Sequence, residues 1–251
     1  MSHAMTKRQL REQRRAERQA AERAAAARAL RRRRLWQLGG AAGLAAIVVV
    51  AAVALSSGGG SGGGADRSPS QAAALFSGVP ERGGVLGKAS APVTVTEYLD
   101  LQCPICAEAS RTLLPTLVQD YVRTGKVKLQ ARTLHFIGPD STRAARVAAG
   151  AERQSRLWPF LEAFYAAQKT ENSGYVTDAF LRSVASAAGV DANAALAYAD
   201  TSAAQKPLTT ANADAARLGI DGTPTFTVQR GNGPVKVVSA DQLLSEIASS
   251  R

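Results

Sequence analysis

The chain has 251 residues, 45% of them hydrophobic, enough to bury the core of one or two domains and too apolar for a chain disordered throughout. Its 31 Lys and Arg against 20 Asp and Glu give a net charge of +11, yet residues 1–34 alone carry 12 basic and 3 acidic side chains. The remainder is close to neutral, which argues against a nucleic-acid-binding body, and two cysteines exclude both a disulfide-stapled scaffold and a four-cysteine zinc module.

From Met5 to Arg34 the chain is built of Ala, Arg, Gln and Glu, good helix formers with no apolar stripe to dock on a core. Arg31–Arg34 then abut Leu35–Leu55, a stretch without a single charge. At about 1.5 Å per residue a helix of that length spans roughly 30 Å, the thickness of bilayer hydrocarbon. Trp36 stands where an interfacial aromatic anchor belongs. The expectation is an uncleaved single-pass transmembrane anchor over residues 35–55, with residues 1–34 as a basic cytoplasmic tail and everything after Leu55 outside the cell membrane. A cleaved signal peptide ending at Ala52-Val53-Ala54 is the competing reading, against which stand the length of the charged stretch and of the apolar run. Residues 56–80, opening with SSGGGSGGG, form a flexible linker with a reach of roughly 25–30 Å. That leaves residues 81–251 as the working domain.

Val93–Leu99 reads as a strand, and Cys103-Pro104-Ile105-Cys106 follows directly. Leu113, Leu114, Leu117, Val118 and Tyr121 recur at helical spacing, predicting a helix through Ala107–Val122, and Pro104 suits its first turn. Cys103 therefore falls at the N-cap with Cys106 one turn inside. The free N–H groups and dipole of the helix start stabilise a thiolate at Cys103, the form that attacks and leaves in disulfide exchange, so Cys103 reads as nucleophile and Cys106 as the resolving thiol. A structural disulfide here would close too small a loop to stabilise much, and zinc would lack ligands, so no metal is expected. The alternation of Val93, Val95, Glu97 and Leu99 puts Glu97 on the apolar face of the strand. A carboxylate buried there tends to hold its proton and suits a relay to Cys106, the competing reading being a salt bridge at the core edge. Asp100 reads as an organiser of the turn before Cys103.

A second strand is expected over Val127–Phe136, and helices follow: one capped by Asp140-Ser141 through Gln154, one over Trp158–Gln168, one over Thr177–Ala188, and a last stretch from Asp191 to Leu218 broken at Pro207. Trp158, Phe160, Phe164 and Tyr165 read as core, and His135 as a surface or loop residue. Thr225–Gln229 and Val235–Val238 form a hairpin around Gly231-Asn232-Gly233, and Ser239 with Gln242 fits a capping box on a closing helix that turns Leu243, Leu244 and Ile247 inward.

The segment Glu97-Tyr98-Leu99-Asp100-Leu101-Gln102-Cys103-Pro104-Ile105-Cys106 resembles the active-site segment of DsbA-like thiol-disulfide oxidoreductases, and Gly219-Ile220-Asp221-Gly222-Thr223-Pro224-Thr225-Phe226 resembles their cis-proline loop. The resemblance covers about residues 81–251. It implies an α/β thioredoxin fold with an all-helical insertion over about 139–219. It further implies a cis Thr223–Pro224 bond that offers the Thr223 backbone to an extended peptide, a buried acid at Glu97, and no cofactor beyond a redox-active Cys103–Cys106 disulfide. The function it implies is a membrane-anchored oxidase acting on exported substrate proteins and reset by a DsbB-like or vitamin-K-epoxide-reductase-like membrane partner. Nucleic acid is not an expected partner. Ile105 departs from the histidine that the best-studied oxidases carry between the cysteines, and it cannot donate a hydrogen bond to Cys103. A reductase or isomerase with the same site therefore stays open, as does a redox-sensing, tethered peptide-binding protein.

Overall fold

The computed structural model describes residues 74–249. The expected basic tail and anchor, and the linker up to residue 73, lie outside them. Among the described residues no helix is long and apolar enough to cross a membrane.

Six strands form one sheet: β1 (Glu81–Arg82), β2 (Val85–Leu86), β3 (Val93–Asp100), β4 (Val127–Leu134), β5 (Thr225–Arg230) and β6 (Lys236–Val238), in the order β1-β2-β4-β3-β5-β6. β3 is central. It pairs parallel to β4, with Val93 opposite Val127, and antiparallel to β5, with Glu97 opposite Phe226. A parallel pair needs a crossover, here α1 (Pro104–Thr112), α2 (Leu114–Thr116) and a π-type segment over Leu117–Val122. The continuous helix expected from Ala107 to Val122 is thus broken, because Pro115 has no N–H to extend the ladder.

Five helices carry the chain from β4 back to β5, namely α3 (Pro139–Arg153), α4 (Leu157–Ala166), α5 (Asp178–Ala187), α6 (Ala192–Ala199) and α7 (Gln205–Arg217), and a sixth, α8 (Ala240–Ala248), follows β6. Thr177 caps α5 and Asp191 caps α6 through their side chains. Two expectations fail locally. Gly138, not Asp140 or Ser141, is the N-cap of α3, because Asp140 accepts from the Gly174 N–H and Ser141 donates to Asp100. Pro207 lies inside the first turn of α7, where a missing N–H is harmless, and the chain breaks before it, in the turn at Ser202–Ala204. The capping box of Ser239 and Gln242 is formed, and Leu243 and Ile247 of α8 are buried while Leu244 is half-buried.

The core lies on one face of the sheet. Val95 and Leu99 pack with Phe226, Ala131, Trp158, Phe160 and Phe164, and with both cysteines. The other face of β3 is covered too, since Tyr98 and Leu134 pack against Ala211 and Ala215 of α7. Burial along β3 therefore does not alternate, as befits a central strand sheathed on both sides. Trp158 donates to the Gly84 carbonyl at 3.0 Å and, with its aromatic neighbours, belongs to the core.

Candidate active site

β3 delivers Asp100 to the lip of the sheet, and three residues later α1 begins. Cys103 is its N-cap, with φ −75° and ψ 118°, and Pro104 occupies the first turn. The Cys103 Sγ accepts the Cys106 N–H at 3.3 Å and, as a thiol, donates to the Thr223 carbonyl at 3.4 Å. The Thr223–Pro224 peptide bond is cis. Residues 120 positions apart in sequence thus meet at one sulfur, and the strand pairing of β3 with β5 is what brings them together.

Both cysteines are free thiols and both are buried, Cys103 at 6% exposed and Cys106 at 0%. Their surroundings push them in opposite directions. Cys103 is held down to about 6, chiefly by a hydrogen bond from the Cys106 thiol, then by the Thr223 side chain and the backbone N–H groups of Cys106 and Ile105, against the opposing effect of burial. Cys106 is pushed up, first by burial, then by its hydrogen bond to Cys103 and by the charges of Cys103 and Glu97. Ile105, between them, is 56% exposed and Phe136 equally so, while Thr223 and Pro224 are half-buried.

Glu97 sits two strand positions before Leu99 on the face that carries the core, and its carboxyl is raised to about 8 by burial, by Glu162 and by Cys103. It forms no salt bridge among the described residues. Asp100, fully buried, accepts from the Gln102 N–H at 2.9 Å, from the Ile137 N–H at 3.3 Å and from Ser141, and its carbonyl accepts the Cys103 N–H at 3.0 Å. It holds the turn from which α1 starts. His135 is bound by Thr142 and Asn212 and takes no part at the sulfurs.

Several residues at the site are not among those the sequence singles out. Gln102 is fully buried, donates to the Tyr175 hydroxyl at 2.8 Å and accepts the Asn172 N–H at 3.0 Å. Gln168 Nε2 donates to the carbonyls of Leu101 at 2.7 Å and Cys103 at 3.2 Å. The segment after α4 thereby clamps the turn that presents Cys103. Glu162 of α4, 5% exposed, accepts a hydrogen bond from Ser110 of α1. One signal could have found it: Glu162 is the only charged residue between Leu157 and Gln168.

Fold and site together define a thioredoxin-type domain with a paired-cysteine motif at a helix N-terminus. A family profile described as thioredoxin matches residues 81–236, and the chain belongs to that family. The chain is 37% identical over 101 residues to the probable disulfide bond formation protein D of Bacillus anthracis, a match covering 39% of this chain and 46% of that one. It thus spans about half the length of that curated relative. The crystal structure of oxidised BdbD from Bacillus subtilis aligns with a TM-score of 0.59 at 24% identity, covering 68% of this chain and 96% of the other. A thioredoxin-like oxidoreductase from Silicibacter pomeroyi aligns with a TM-score of 0.53 at 26% identity, covering 70% and 94%.

Proposed function

We propose that the protein is a membrane-tethered, extracytoplasmic thiol-disulfide oxidoreductase that donates its Cys103–Cys106 disulfide to exported proteins. The observation that carries this reading is the division of labour between the two sulfurs. In the disulfide form, a substrate thiolate attacks Cys103 Sγ and the Cys103–Cys106 bond breaks. The electron pair leaves on Cys106, which takes a proton because its surroundings disfavour the thiolate. A second substrate thiolate then attacks the substrate sulfur bound to Cys103, and Cys103 leaves as the stabilised thiolate. The substrate has lost two electrons, the two cysteines have gained them, and a DsbB-like or vitamin-K-epoxide-reductase-like membrane partner takes them on. The cis-Pro224 loop, with the Thr223 carbonyl already facing Cys103, suits the pairing of an extended substrate strand.

One observation favours the reverse direction. With Cys103 near 6, the gain from its thiolate at pH 7 is the single unit between 6 and 7, about 1.4 kcal/mol, or about 30 mV for a two-electron couple. Ile105 adds no hydrogen bond to it. The reduction potential of the purified full chain, equilibrated against glutathione, decides the matter. A value between about −120 and −180 mV supports disulfide donation, whereas one near −270 mV makes the domain a reductase. Cys106→Ser separates both from a tethered peptide binder. An oxidoreductase accumulates mixed disulfides through Cys103, and a binder accumulates none.

A further inference from the structure

The core packed against α1 buries two carboxyl groups, Glu97 and Glu162. Glu97 points from β3 into the face formed by Val95, Leu99, Ala131 and Phe226, which is the face covered by α1 and α4. Glu162 comes from the opposite side, on α4, and is as deeply buried. Ser110 holds it in place, and Ser110 lies four residues after Cys106, so both project from the same face of α1. A carboxyl in apolar surroundings with a second acid nearby cannot readily ionise alongside it, and the two then share one proton between them.

From this placement we infer that Glu97 and Glu162 act as one proton-sharing carboxyl pair serving Cys106, with Glu162 the member that keeps a proton on Glu97. The inference rests on the oxidoreductase reading for its purpose, though not for its test. When the disulfide opens, the electron pair arriving on Cys106 Sγ takes the proton from Glu97. Glu97 becomes a carboxylate and recovers a proton through Glu162 and from solvent, and the charge of a carboxylate at Glu162 is what raises the readiness of Glu97 to take it. On re-oxidation the same proton returns to the pair. Electrons pass only between sulfurs throughout.

The groups facing the pair agree with this. Glu97 meets Glu162 from α4 and Cys103 from α1, and both raise it. Glu97 in turn acts on Cys106 and on the buried Tyr165 of α4, which also feels Cys106, Cys103 and Asp100. In this proposal Glu162 acts on the sulfur through Glu97 and is therefore a positioning residue.

The test is a carboxyl titration of Glu97 by carbon-13 NMR in the dithiol form of the full chain, alongside the pH profile of disulfide exchange. E162Q retains the acceptor for Ser110 and removes the charge. The titration of Glu97 is expected to fall by about one unit, so the ratio of protonated to ionised Glu97 at pH 8 falls roughly tenfold, and the alkaline limb of the exchange rate moves down by the same one unit. S110A removes the hydrogen bond that favours the Glu162 carboxylate and shifts Glu97 in the same direction. It supplies the reading if E162Q does not fold. An unmoved or rising Glu97 titration in a folded variant overturns the inference. If exchange is absent altogether, the oxidoreductase reading fails, while the NMR titration still reports on the pair.

Discussion

Cys103 and Ile105 show how much of the chemistry is set within one helical turn. The Cys103 sulfur owes its low titration to donors on α1 and at Thr223, so its thiolate, followed by ultraviolet absorbance or by alkylation rate, is expected to form with a midpoint near pH 6. A midpoint of 8 or more would contradict the geometry. Ile105 is largely exposed, so Ile105→His is expected to leave the fold intact. It adds a donor beside the sulfur, which lowers the thiolate midpoint further and moves the reduction potential upward. If the midpoint does not move, the side chain at 105 does not face the sulfur. The cysteine pair was legible in the sequence because its chemistry depends on spacing along one helix. Glu97 was legible because strand alternation alone places it among apolar neighbours. Glu162, Gln102 and Gln168 were not, because their partners lie 52, 73 and 67 residues away and only the assembled helices bring them together.

Among the elements, the helices between β4 and β5 make the site what it is. Gln168, Asn172 and Tyr175 follow α4 and grip the 101–103 turn, so the placement of the CxxC motif depends on how α3, α4, α5 and α6 pack. Gly150 is a point of close approach between α3 and α6. A Cβ there would lie 2.6 Å from the Ala195 carbonyl oxygen and 2.7 Å from its Cα, both backbone atoms that cannot step aside. Gly150→Ala is expected to cost about 1–3 kcal/mol by pushing α3 from α6, read as a lower thermal midpoint. An unchanged midpoint would show that the two helices slide freely. Helix periodicity announced these elements, and the misplaced cap of α3 has a long-range cause. Asp140 and Ser141 have the right chemistry for a cap, yet a distant Gly174 N–H and a buried Asp100 recruit them instead.

For the whole molecule, several buried acids titrate late. Glu81, which accepts the Leu157 N–H at 2.6 Å, is raised to about 7, and Glu97 to about 8, in both cases chiefly by burial. A carboxyl whose folded value lies above its unfolded one holds more protons when folded. Its contribution is therefore complete below about pH 4.5 and is lost as pH rises through the folded value. In the disulfide form, where neither sulfur titrates, the protein is expected to melt about 5 °C or more higher at pH 5 than at pH 8.5. Glu81→Gln keeps the acceptor for Leu157 and should flatten the part of that slope below pH 7. A thermal midpoint that rises with pH over the same range would overturn the assignment. The reduced form gains an opposing contribution from Cys103 above pH 6, so the slope should be shallower once the disulfide is opened.

The two halves of the site stand 120 residues apart along the chain, and this separation orders events in time. Synthesis proceeds from the N-terminus at about 5–20 residues per second, so the cysteines precede Thr223 and Pro224 by roughly ten seconds. Until β5 arrives, β3 has an open edge where Phe226 will sit beside Glu97, and Cys103 has no carbonyl facing it. An unfinished chain holds the α1 donors to Cys103 but not the contribution from Thr223. The Thr223 contribution to the sulfur is added only when the C-terminal strands close against β3, so the site reaches its final setting as the last step of the domain's assembly.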